Sequence, residues 1–143
     1  GSFGCLKQYS SLHAIKSRVI QHLRLGKPSV INQLVKSEDE INYHTIFQAL
    51  AQNDEVCLKA LEEAAYYYGI AIANAVLITQ ADVVVCGGTL TPKNHFFEMT
   101  KKSIEQKLSI FPHIKPRIYP ANDSYEIVAQ GAGGMVMESY LSE

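Results

Sequence analysis

Ala65-Tyr66-Tyr67-Tyr68-Gly69-Ile70-Ala71-Ile72-Ala73-Asn74, followed six residues later by Ala81-Asp82-Val83-Val84-Val85-Cys86-Gly87-Gly88, is the stretch that decides the fold. Its first part lies in a proline-free run from Asp54 to about Ile78, rich in alanine and leucine. Val56, Leu58, Leu61, Ala64, Ala65, Tyr68, Ile72 and Val76 recur there at three- and four-residue spacing, which predicts one long helix with an apolar stripe. Asp54 is its expected N-cap. The stripe broadens toward the C-terminal half, so that end should be buried on most sides. Gly69 in the interior costs roughly 1 kcal/mol relative to alanine, which fits a place where a neighbour comes close. Val83 to Cys86 is a continuous apolar run bounded by Asp82 and Gly87-Gly88, the pattern of a strand covered on both faces.

Working outward, Leu12, Ile15, Val19, Ile20 and Leu23 mark a helix over residues 11–25, capped by Ser11 and ended by Gly26 and Pro28. Ser29 to Val35 reads as a short helix and Ser37-Glu38-Asp39-Glu40 as a polar connector. Asn42 caps a further helix using Ile46, Phe47 and Leu50. Beyond the strand, Lys93 to Leu108 returns to helical spacing through Phe97, Met99, Ile104 and Leu108. Pro112 and Pro116 make a loop, and Arg117-Ile118-Tyr119 is a short strand before Pro120. Asn122 or Asp123 starts a last helix to about Leu141, where Gly131, Gly133 and Gly134 leave a shallow groove for another backbone. The fold class is α/β, helix-dominated with few strands, in a single domain over residues 1–143.

A formal net charge of −1, with Lys101-Lys102 the only short basic cluster, gives no footprint for nucleic acid. No run approaches the roughly 20 apolar residues that cross a membrane. Cys5, Cys57 and Cys86 are odd in number and scattered, which argues against a disulfide framework and for a reducing cytoplasm.

The strand running into Gly87-Gly88-Thr89 is the best candidate site on chemistry alone. Glycines after a buried strand admit a ligand or backbone closely, and the following N–H groups are free to donate. A plain structural turn accounts for the same residues, and the third glycine of a dinucleotide fingerprint is absent. Cys57 and Cys86 read as small buried hydrophobes. His13, His22, His44, His95 and His113 show no metal spacing. Tyr66-Tyr67-Tyr68 splits between core and interface, and no nucleophile–base pair stands out.

Taken together, the helix ending in Ala73-Asn74, the strand ending in Gly87-Gly88, Ala129-Gln130-Gly131-Ala132 near the end and Gly1-Ser2-Phe3-Gly4-Cys5-Leu6-Lys7 at the start resemble landmarks of the ROK family (repressors, open reading frames and sugar kinases), in order and over nearly the whole chain. The resemblance implies the C-terminal lobe of an actin-like ATPase or sugar-kinase fold. It places Gly87, Gly88 and Thr89 at an adenosine pocket. It makes Cys5 the last cysteine of a Cys-x-Cys-Gly-x-x-Gly-Cys-x-Glu run whose cysteines, with a distant histidine, hold a structural zinc. The family's glutamate for a sugar hydroxyl is replaced by Lys7, which can donate hydrogen bonds but not accept them; a surface lysine on a turn is the plainer reading.

The phosphate-binding Asp-x-Gly-x-Thr, the catalytic aspartate and the zinc histidine of the family belong upstream. The chain thus reads as the C-terminal part of a larger protein, with no cofactor expected in this piece and zinc held only in a parent protein. Two functions follow from the resemblance. The first is a non-catalytic effector-binding and homodimerising domain of a transcriptional repressor or antirepressor, sensing a sugar and reaching DNA only through an upstream domain. The second is the nucleotide lobe of an ATP-dependent sugar kinase of the glucokinase or N-acetylmannosamine kinase type. Lys7 tips the reading toward the regulator.

Overall fold

Asp54 starts the longest element: its carboxylate accepts from the Cys57 N–H at 2.8 Å and caps the helix Glu55–Thr79. The structure, a computed structural model, describes residues 4–87, 94–121 and 126–141. In chain order the elements are α1 (Lys7–Ser10), α2 (Leu12–Arg24), α3 (Ile31–Leu34), a 3₁₀ turn (Glu38–Glu40), α4 (Tyr43–Leu50), α5 (Glu55–Thr79), β1 (Val83–Cys86), α6 (Asn94–Leu108), β2 (Arg117–Pro120) and α7 (Glu126–Leu141). The expected caps Ser11, Asn42 and Asp54 are in place, whereas Asn122 and Asp123 lie outside the described residues. Ser11 accepts from the Ala14 N–H, and Asn42 with Thr45 forms a reciprocal capping box.

The N-terminal half of α5 is the core. Cys57, Ala60, Leu61, Ala64 and Ala65 are fully buried against Ile15 and Val19 of α2, Ile46 and Ala49 of α4, and Ile31. Each large aliphatic side chain among them contributes about 1.5–3 kcal/mol by leaving water. A second, smaller cluster joins Ala73 and Val76 of α5 to Ile104 and Leu108 of α6, with Val84 and Ile118 of the two strands packed on it.

β1 and β2 are parallel, with Val84 beside Ile118 and Val85 beside Tyr119, and α6 connects them as a βαβ unit. Successive side chains of a strand alternate between faces. Val84 and Cys86 turn toward the helices, whereas Val83, Val85 and Tyr119 are 42 %, 60 % and 48 % exposed. The expectation of a strand covered on both faces is therefore corrected: α5 and α6 cover one face, and no described residue covers the other.

A second correction concerns the end of α5. Asn74, Ala75 and Ile78 are exposed rather than buried. The fully buried residues that the helix gives to the cluster with α2 and α4 end at Ala65, and from Ala73 onward it shares a cluster with α6 and the strands. Alanine-rich composition marks a helix there without marking burial.

The turn at the chain's start contains one helical turn that periodicity does not reveal, α1. Arg18 of α2 anchors it by donating to the Tyr9 carbonyl at 2.7 Å while pairing with Glu63 of α5 at 3.0 Å. The Tyr9 ring packs on Tyr67 with centroids 4.7 Å apart. Arg18→Ala is expected to cost about 1.5–3 kcal/mol, the range for a hydrogen bond from a charged donor. The loss should concentrate in α1, seen as faster amide exchange at Gln8, Tyr9 and Ser10 than elsewhere.

Candidate functional site

In open α/β sheets, ligands bind in the crevice outside the carboxyl ends of the strands. Here those ends lie side by side: the Ala121 N–H donates to the Cys86 carbonyl at 2.8 Å, and Gly87 follows Cys86 into solvent. Among the described residues, a Cβ on Gly87 would meet only the Ala121 methyl, at 3.8 Å, and Gly87 itself is exposed. The Tyr68 hydroxyl donates to the Gly87 carbonyl at 3.4 Å, and its ring stacks on Phe96 in the first turn of α6, with centroids 5.9 Å apart. Tyr68 thus ties the exit of β1 to the entry of α6. Burial, and then the nearby Cys86 thiol, push its phenol above the ordinary value, so it stays a neutral donor. Gly88 and Thr89 lie outside the described residues.

Tyr68 is what the sequence reading missed at this site; the tyrosine run was the only signal. The three tyrosines part company. Tyr67 faces α1, Tyr68 faces Gly87 and α6, and Tyr66 is 42 % exposed beneath Lys107, whose ammonium sits 5.1 Å from the ring centroid. Tyr67 and Tyr68 pack inside the chain, on Tyr9 and Phe96, and Tyr66 is the exposed ring of the three.

Lys7 and Cys5 are both exposed, at the start of α1 and on the turn before it. Gly4, at φ 86°, takes the left-handed conformation that a glycine in such a turn supplies. Consecutive residues on α5 point about 100° apart, so the Tyr67 flank, which carries Lys7's helix, differs from the Tyr68 flank, which carries Gly87.

The donor set does not complete a zinc site. Cys57 and Cys86 are buried, and burial raises both thiols above their ordinary value, that of Cys57 strongly and with reinforcement by the Asp54 carboxylate. A metal ligand must be a thiolate, so these are packed hydrophobes. Among the described residues no three His, Cys, Asp or Glu side chains converge. Cys5 would need all its co-ligands from elsewhere. At the opposite end of the sheet, a cavity of about 490 Å³ is lined by Leu108, Phe111, Ile114, Lys115 and Ile118 among others. The sequence did not point to it.

With this geometry in place, the comparison with known proteins is decisive: the ROK family pattern matches residues 1–138. The chain belongs to the ROK family. Over 99 % of its length it is 30 % identical to the xylose repressor of Caldicellulosiruptor bescii and 26 % identical to the putative xylose repressor of Caldicellulosiruptor sp. Rt8B.4. It spans 36 % of the length of each. The fold matches a ROK glucokinase from Streptomyces griseus in complex with glucose and AMPPNP (TM-score 0.72, 23 % identity, 84 % of this chain and 39 % of that one). It also matches a ROK transcriptional regulator homologous to the E. coli MLC protein (TM-score 0.67, 25 % identity, 84 % and 30 %). A putative sugar kinase from Cytophaga hutchinsonii gives a TM-score of 0.75 at 19 % identity, over 92 % and 44 %. The ROK chain therefore has the helix-dominated α/β architecture of the actin-like, sugar-kinase fold, and its repressor relatives support the regulator branch.

Proposed function

We propose that this ROK chain is the effector-binding and oligomerisation part of a transcriptional regulator, that it catalyses nothing, and that it meets DNA only through another part of the protein. Lys7 carries the reading. It stands where the family resemblance places a glutamate for a sugar hydroxyl, it is exposed, and it forms no ion pair among the described residues. A carboxylate there accepts from two sugar hydroxyls; an ammonium turns three donors to the same space. Ordinary hexose recognition is thereby weakened, and an anionic or altered effector favoured. The kinship with two xylose repressors agrees with this reading. Among the described residues no helix is long and apolar enough to cross a membrane.

The test is Lys7→Glu, made in a form of the protein carrying the rest of the ROK body and titrated calorimetrically with D-glucose and D-xylose. Restoring the carboxylate is expected to tighten glucose binding at least tenfold, about 1.4 kcal/mol. Equal affinity in both proteins would make Lys7 a surface lysine and remove the main support for the regulator.

The kinase lobe is the second reading, and the exposed Gly87 at the end of β1 is the observation that favours it. In that case adenosine would rest against the carboxyl edge of the strands, with the phosphate-binding groups supplied from outside this chain.

A further inference from the structure

Lys7 sits on a helical turn that has little of its own to hold it. α1 is four residues long, buries none of them, and its N-cap Leu6 makes no side-chain cap. A helix that short is marginal in isolation. Its last carbonyls have no partner within the helix, and one of them, that of Tyr9, accepts from Arg18 Nη1 at 2.7 Å. The same guanidinium turns its Nε to Glu63 of α5, 3.0 Å away, and lies 5.9 Å from the Tyr67 ring centroid. Tyr67 in turn carries the Tyr9 ring. The Arg18 side chain is only 13 % exposed, so salt screens these contacts weakly.

We propose that Arg18 is the positioning residue of the effector site: through the Tyr9 carbonyl and the Tyr67 ring it fixes where Lys7 stands.

Helix geometry makes the link. Residues two apart on a helix point about 200° from one another. With Tyr9 seated on Tyr67, Lys7 is turned to the far side of α1, and there it is exposed. A rotation of α1 that unseats Tyr9 swings Lys7 with it. Two nitrogens of one planar fork grip α1 and α5 at once. The single ammonium of a lysine cannot reproduce that fixed geometry. Arg18 thus acts on the effector only through the turn that carries Lys7.

The role of Arg18 rests on the Lys7 reading of the proposed function, and a double-mutant cycle separates the two. In protein carrying the rest of the ROK body, D-glucose affinity is measured calorimetrically for Lys7→Glu, Arg18→Ala and their combination. With Arg18 in place, Lys7→Glu tightens binding about tenfold. Beside Arg18→Ala the gain is expected to shrink to about threefold or less. Amide exchange should quicken at Gln8, Tyr9 and Ser10 while α2 and α5 keep their protection. A purely structural role would loosen the whole fold and leave the gain of the folded protein intact. An undiminished gain beside Arg18→Ala overturns the positioning role and leaves that of Lys7 standing. No gain from Lys7→Glu with Arg18 in place removes the Lys7 reading and the positioning role with it. Where Arg18→Ala fails to fold, Arg18→Lys replaces it, because it keeps the charge and loses the fork. The same shrinkage is expected, and a full gain there overturns the proposal.

Discussion

Gly69→Val is expected to remove about 3 kcal/mol or more from the folded state, a large share of the 5–15 kcal/mol typical of a domain. The cause is the approach of α6 to α5. An ideal Cβ at Gly69 would stand 2.5 Å from both Cβ and Oγ of Ser103 and 3.0 Å from the Thr100 carbonyl oxygen. The Ser103 hydroxyl is itself engaged, donating to the Tyr66 carbonyl at 3.1 Å, and Thr100 is fully buried. Relief requires α6 to move as a body, and α6 bears on both buried clusters through Phe96, Ile104 and Leu108. Overpacking of this kind typically costs 1–3 kcal/mol, and valine adds two methyls beyond the Cβ. Gly69→Ala should also destabilise, less severely, even though alanine gains about 1 kcal/mol in helix propensity. Urea unfolding followed by circular dichroism measures both. Adding Ser103→Gly should recover most of the alanine loss, because it removes the nearest Cβ. A Gly69→Ala protein more stable than the unsubstituted one would contradict this account of the helix pair.

Asp54→Ala is the second large effect, roughly 2–4 kcal/mol from the lost cap and the buried donors it leaves unpaired. The side chain is 4 % exposed. One oxygen accepts from the Cys57 N–H, and the other from the Val30 N–H at 2.6 Å, so a single carboxylate ties the start of α5 to the entry of α3. Burial opposes its ionisation, but the Cys57 N–H, the Ser29 hydroxyl and the Val30 N–H together outweigh it and hold the carboxyl below its ordinary value. The sign of the pH effect follows. A carboxyl depressed in the fold contributes its stability above the unfolded value, near 3.9, and loses it as pH falls through the lower folded value. Asp54→Asn should therefore be less stable at neutral pH and show a shallower loss of Tm below about pH 4. An equal acid slope in both proteins would mean that Asp54 is not the group that titrates.

Apart from the single turn of α1, the helices and both strands were legible because apolar spacing and cap residues are local signals. Ser11, Asn42 and Asp54 each accept from a backbone N–H of the first turn of the helix they start. Gly69 was legible for the same reason, since a glycine in an otherwise strong helix needs a tertiary cause. What the sequence could not carry was non-local. Whether Val83 and Val85 are covered depends on what packs over the sheet, and a continuous apolar run looks the same with one face bare. Nor could composition separate Tyr66, Tyr67 and Tyr68, whose roles follow from three different neighbours: Lys107, Tyr9 and Gly87. Of the candidate site, the sequence marked Gly87 only as the residue that follows a strand. Its tie to Tyr68 and Phe96 came only with the fold.

The central claim is that this ROK body senses a ligand without phosphorylating it. The most direct test is sugar-dependent ADP release from MgATP by the protein in a form that carries the rest of the ROK body, assayed across a sugar panel. Folding is verified by circular dichroism. The account predicts release no faster with any sugar than without. Sustained, sugar-dependent turnover would contradict it, making the chain a kinase lobe with adenosine against Gly87.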